Sequence, residues 1–76
     1  MKDILEIIIQ GLVDNKDEVS IEEINKEKYV EYRVTVNSND MGKVIGKQGR
    51  VAKSIRTVMK SLGLKEDKKV NVEFVD

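Results

Sequence analysis

The segment Met41-Gly-Lys-Val-Ile-Gly-Lys-Gln-Gly-Arg50 sets three glycines, Gly42, Gly46 and Gly49, among three cations, Lys43, Lys47 and Arg50. Glycine lets a backbone lie close against a ligand, and the cations offer charge to an anion. The chemistry that suits such a segment is the holding of phosphate, in a nucleotide or in a nucleic acid strand. The nucleotide loops fail on spacing. A Walker A loop needs four residues between its first glycine and Gly-Lys-Ser/Thr, whereas three residues separate Gly42 from Gly46 and Gln48 follows Lys47. The dinucleotide fingerprint needs a glycine two positions before a Gly-x-x-Gly, and that position is Val44. What remains is Gly46-Lys-Gln-Gly49, a short turn.

Other chemistries find little to work with. The chain has no cysteine and no histidine, which excludes disulfides and ordinary zinc sites. General acid–base work would fall on scattered carboxylates, so neither an enzyme nor a bound cofactor is expected. The acids Glu18, Glu22, Glu23, Glu27 and Glu31 read as a solvated surface that repels nucleic acid from the back, rather than as a metal site.

The net charge of zero hides an asymmetry. Residues 1–40 carry five basic and ten acidic side chains. Residues 41–65 carry seven basic ones (Lys43, Lys47, Arg50, Lys53, Arg56, Lys60, Lys65) and no acid. Residues 66–76 carry two basic and four acidic. A basic surface with an acidic back steers an anionic partner towards one side.

The elements that must position the turn follow from hydrophobic period. Seventy-six residues predict one small domain, 1–76, with a thin core. Ile4, Leu5, Ile8, Ile9 and Leu12 make a helical stripe over 2–13, with Ile7 off it and Val13 at its edge. Residues 14–17 read as a turn, 18–25 as a weaker strand, and 25–28 as a hairpin connection. Residues 29–37 read as a strong strand, Val30, Tyr32, Val34 and Val36 facing one way and Glu31, Arg33, Thr35 and Asn37 the other. Tyr29 and Tyr32 read as packing residues.

Ser38-Asn-Asp40 supplies helix N-caps, and a short helix over 40–45 breaks at Gly46. A second helix spans 50–62 on Val51, Ile55, Val58, Met59 and Leu62, with Gly63 as its C-terminal cap. A last strand covers 69–75, with Val70, Val72 and Phe74 alternating. The fold class is α+β in the order αββααβ. The first ten residues meet acids before any long apolar run, so neither a signal peptide nor a membrane span is expected and a cytoplasmic protein is.

Helix electrostatics gives the turn a sharper meaning. Cations at a helix N-terminus oppose its dipole, at about 0.3–1 kcal/mol each. The longer helix opens with Lys47, Arg50 and Lys53 and no acid. That arrangement is relieved by an anion at the helix end, where the open amides of a glycine turn can receive it. Lys53, Arg56 and Lys60 share one helix face. Lys53 extends the phosphate track, Lys60 faces solvent, and Arg56 fits either role.

Val44-Ile-Gly-Lys-Gln-Gly-Arg50 resembles the VIGxxGxx signature of KH domains. The element order matches their type II arrangement, which implies a three-stranded mixed sheet packed on three helices. Nearly the whole chain, including Leu12-Val-Asp-Asn15, Asp17-Glu-Val19 and residues 41–57, resembles the KhpA family of bacterial RNA-binding proteins. Lys16 stands where members often have proline.

The resemblance implies that a GXXG loop clamps about four nucleotides of single-stranded RNA. By position, Gly46 and Gly49 would admit the phosphates. Lys47 and Gln48 would be the projecting pair, with Lys43, Arg50 and Lys53 as cations. Val44, Ile45 and strand residues from Val34 to Asn37, Val36 among them, would floor the groove. No aromatic lies near the loop, so modest sequence preference is expected. The resemblance further implies post-transcriptional regulation or RNA chaperoning, linked to cell elongation and division. The apolar girth of 2–13 and the edge of 50–62 at Val58 and Met59 predict a homodimer, and the resemblance implies a heterodimer with a KhpB-like KH protein through a shared helix surface. The alternative is a protein-interaction subunit with little RNA affinity of its own.

Overall fold

A computed structural model describes residues 1–75. Helix α1 (Lys2–Leu12) is followed by strands β1 (Ser20–Asn25) and β2 (Tyr29–Thr35), helices α2 (Met41–Ile45) and α3 (Arg50–Lys65), and strand β3 (Lys69–Val75). Single 3₁₀ turns occupy Lys16–Glu18, Ser38–Asp40 and Lys47–Gly49. The order is αββααβ, a mixed three-stranded sheet with three helices, the type II KH arrangement. No helix among the described residues is long and apolar enough to cross a membrane.

The sheet runs β1-β2-β3. β1 pairs antiparallel with β2, Ile21 opposite Val34, while β2 pairs parallel with β3, Tyr32 opposite Val72. A parallel neighbour cannot be reached by a hairpin, so the chain crosses over through α2 and α3 before returning. The crossover places the glycine turn between helices on the sheet's covered face. Val30, Tyr32 and Val34 are buried there with Val70 and Val72, against Leu5 and Ile9 of α1, Val44 of α2, and Ile55 and Met59 of α3.

The opposite sheet face is open and largely acidic. Arg33 sits between two of its carboxylates, its Nε 2.7 Å from Glu31 and its guanidinium 3.9 Å from Glu22. Tyr29 donates its hydroxyl to Glu31 at 3.0 Å. The Arg33 hydrogen bond, helped by Tyr29, holds the Glu31 carboxyl below the usual carboxylate range. Both tyrosines are accounted for by packing and this bond.

Boundaries shift where side chains find other work. Glu18 and Val19 donate their amides to Asn15 and Lys16 carbonyls at 3.1 and 3.3 Å, so residues 16–18 turn and the first strand starts at Ser20 instead of 18. The second strand ends at Thr35, because Asn37 leaves it to accept the Asn39 amide on its side-chain oxygen at 2.8 Å. The cap of the 3₁₀ turn is therefore Asn37, just ahead of the expected Ser38–Asp40, and Asp40 makes no capping bond to α2.

Gly63 is not the end of α3. The helix runs on to Lys65 and closes where the Glu66 and Lys68 amides both donate to the Gly63 carbonyl at 2.9 Å. Gly63 is there for close approach. A Cβ at this position would lie 2.4 Å from Val70 Cγ2 and 2.8 Å from the Lys68 carbonyl oxygen. The glycine lets α3 seat against β3.

Candidate nucleic-acid interface

Helix α2 is a single short run anchored by Val44, which is wholly buried, with Ile45 half-buried beside it. It stops at Gly46, whose amide donates to the Gly42 carbonyl at 2.8 Å. Gly46 then takes φ 77°, ψ 176°, a conformation open almost only to glycine. A side chain there would also strike α3, since its Cβ would lie 2.4 Å from Val51 Cγ2 and 2.9 Å from the Val51 nitrogen. Gln48 (φ 57°) and Gly49 (φ 74°) are left-handed as well. Three positive φ angles in four residues turn the chain sharply and throw Lys47 and Gln48 into solvent.

Helix α3 begins at once, with Gly49 as a cap that offers no side-chain acceptor. The amides of its first turn have no partner within the helix, and no acid occupies that turn. Lys47, Arg50 and Lys53 are exposed around this end. Among the described residues none of the three has a carboxylate within ion-pair distance. Arg50 donates only a long hydrogen bond to the Gln48 side-chain oxygen, at 3.4 Å. Apart from the Gly49 and Arg50 amides, which close onto the Gly46 and Lys47 carbonyls, the arrangement offers helix-end amides and unpaired cations suited to a phosphate chain.

The remaining expected site residues have other attachments. Lys43 pairs with Asp14, and its ammonium lies 3.4 Å from Asp40. These carboxylates, Asp14 first, hold its amine above the usual lysine range. Lys43 thus braces the back of α2. Val36 is 7 % exposed and packs in the core with Val44, so these two support the groove from beneath. Arg56, which fitted either role, is tied to the sheet. Its Nε donates to the Val72 carbonyl of β3 at 3.0 Å, and its guanidinium stacks 5.6 Å from the Phe74 ring centre.

Asp40 was missed as a supporting residue. Its side chain is 1 % exposed. It accepts the Asp14 amide at 3.2 Å, the Asn15 amide at 2.9 Å and the Asn15 side-chain amide at 3.0 Å. The Asn15 backbone bond, with Asn15 Nδ2, Asp14 and Lys43 behind it, outweighs burial and pulls its carboxyl down to about 2. This latch ties the turn after α1 to the start of α2, and so fixes where the glycine turn stands. The one signal in the sequence was the Asp40–Lys43 spacing, three residues apart on a helix.

Element order, parallel β2–β3 pairing and a helix–GXXG–helix turn define a KH domain of type II. Comparison with known proteins is consistent with this. The profile of the family described as KhpA/KhpB, KH domain matches residues 2–74, and the chain belongs to that family.

Two clostridial relatives, both named RNA-binding protein KhpA, are close in sequence over their whole length. The Clostridium perfringens protein is 49 % identical over 99 % of this chain and 100 % of its own. The Clostridium acetobutylicum protein is 51 % identical over the same shares. A relative of that name in Aquifex aeolicus is 45 % identical over 100 % of this chain and 96 % of its own. No solved structure gives a significant match.

Proposed function

We propose that this chain is a non-catalytic module that clamps about four nucleotides of single-stranded RNA on the Gly46–Gly49 turn. The observation that carries the reading is the set of unpaired cations, Lys47, Arg50 and Lys53, gathered at an uncapped helix end behind a glycine turn. The shared family and the relatives' name, RNA-binding protein, support RNA as the strand. Phosphates sit on the turn amides and cations, while Ile45 offers apolar surface to a base. A cytoplasmic role in RNA regulation or chaperoning fits such a module.

The test is to replace Lys47 and Gln48 together by aspartate. RNA affinity falls by more than about tenfold while circular dichroism stays that of the parent chain. Unchanged binding overturns the clamp. With three phosphate contacts, log K for the parent falls against log salt with a slope of roughly −2.

Helix α1 supports a second part of the reading, self-association. Ile4 and Ile7 are exposed, Ile7 at 71 %, on the side of α1 away from the core. On α3, the other expected edge, Val58 is exposed at 44 % while Met59 beside it is wholly buried. A homodimer, or a pair with a KhpB-like KH protein, would cover the α1 face and raise avidity by effective concentration. Light scattering on Ile7→Asp is expected to give a monomer where the parent chain gives a dimer. A parent that stays monomeric at high concentration sinks this part.

A further inference from the structure

The far end of α3 carries an exposed apolar residue among cations. Leu64 is 78 % exposed, more than any other large apolar side chain described. It borders an open depression of about 340 Å³ shared with Lys60, Lys68, Lys69 and Val70. Cations near a helix C-terminus are favoured by the dipole. A leucine left in water among them is not explained by the dipole or by the core.

One face of α3 leads from the clamp towards the depression. Lys53, Arg56, Lys60 and Leu64 follow one another at spacings of three and four, one stripe along α3. At 1.5 Å per residue the stripe extends about 21 Å from Arg50 to Leu64. The Arg56 bond to the Val72 carbonyl fixes that stripe beside the free edge of β3, an outer strand of the sheet.

The charge along the stripe is open. Lys60 and Lys69 have no carboxylate within ion-pair distance among the described residues, and Lys68 bonds only the neutral Asn25 side chain, at 3.0 Å. Of the two acids at this corner, Asp67 is held by Lys28 at 2.6 Å and Glu66 is exposed at the helix end.

We propose that the RNA strand continues beyond the clamp along α3 to a second seat, where a base lies on Leu64 and its phosphates meet Lys60 and Lys69. Cations in line with an apolar floor suit a single strand, whose backbone is charged and whose base faces are not. The inference rests on the clamp reading and lengthens its footprint.

The test compares two labelled RNAs, of about four and about ten nucleotides, on the parent chain and on Lys60→Ala/Lys69→Ala, across a salt series. Both substitutions are on exposed side chains, so the fold is retained. The parent binds the longer RNA with a salt slope steeper by about 1.4, since two more phosphates are neutralised. Extra registers on a longer strand raise affinity but leave the slope alone. The double variant loses that added slope and several-fold in affinity for the longer RNA, and keeps its binding to the shorter. Equal slopes for the two RNAs on the parent chain, or a variant indistinguishable from it, overturn the second seat and leave the clamp standing. Failure of the parent to bind either RNA overturns both. Leu64→Ser weakens the longer RNA with no change of slope, which separates the base contact from the charge. A surface meant for an acidic protein shows itself by no RNA length dependence at all, and also overturns the proposal.

Discussion

Gly46→Ala is expected to destabilise the chain by roughly 3 kcal/mol and to remove RNA binding with it. Two independent costs add. The backbone at φ 77°, ψ 176° is closed to alanine, a strain of order 1–3 kcal/mol. The new methyl also meets Val51 at 2.4 Å from its Cγ2 and 2.9 Å from its nitrogen, an overpacking that costs about 1–3 kcal/mol. Gly49→Ala has only the first kind of cost, about 1–2 kcal/mol, because its Cβ meets nothing within 4 Å. Urea unfolding of the two variants separates these contributions, and equal losses would refute the steric argument. Adding Val51→Ala to Gly46→Ala recovers only part of the stability. The Cγ2 clash is relieved, but the Val51 Cβ at 2.8 Å and the backbone nitrogen at 2.9 Å remain.

Asp40→Asn is the second large effect. Asparagine keeps the shape but turns an N–H donor towards a nest of donors, the Asp14 and Asn15 amides, and leaves Lys43 with less charge to face. A fall in Tm of roughly 10–15 °C is expected for a domain of this size.

The pH dependence has a definite sign. The folded Asp40 carboxyl lies at about 2, below the unfolded value near about 4. Its contribution is therefore complete above about pH 4 and is lost as pH falls towards about 2. Glu31, also held low, contributes in the same direction. The difference between parent and variant, followed by urea midpoints from neutral to acid pH, isolates Asp40 and should shrink through that window. Parallel curves would show that Asp40 is not the titrating latch.

Much of the fold lies open in local pattern. The alternation of Val30, Tyr32 and Val34 reports a strand with one buried face, and Leu5 and Ile9 report the covered side of a helix. Gly46 and Gly49 mark the turn because backbone geometry alone demands them. What local pattern misreads is set by partners distant in the chain. Gly63 follows an apolar helix and so resembles a stop signal, but its reason is Val70 on another element. Asp40 resembles a cap, while its donors lie 25 and 26 residues away. Lys43 sits in a basic block, and nothing near it in the chain announces its pairing with Asp14, 29 residues away. Arg56 cannot be placed until β3 lies beside it. Spacing along the chain does not record any of these meetings.

The parallel pairing of β2 with β3 bears on the order in which the molecule is completed. β1 and β2 can zip as a hairpin as soon as both exist, since their pairing is local. β3 is the last described element to be synthesised, and its register against β2 requires the whole crossover to be in place. Until then the edge of β2 and the floor beneath α3 stay uncovered, while the glycine turn, built from neighbours in the chain, has every residue it needs. The part that would grip RNA thus comes together by short-range closure, and the part that steadies the grip is the slowest contact to form.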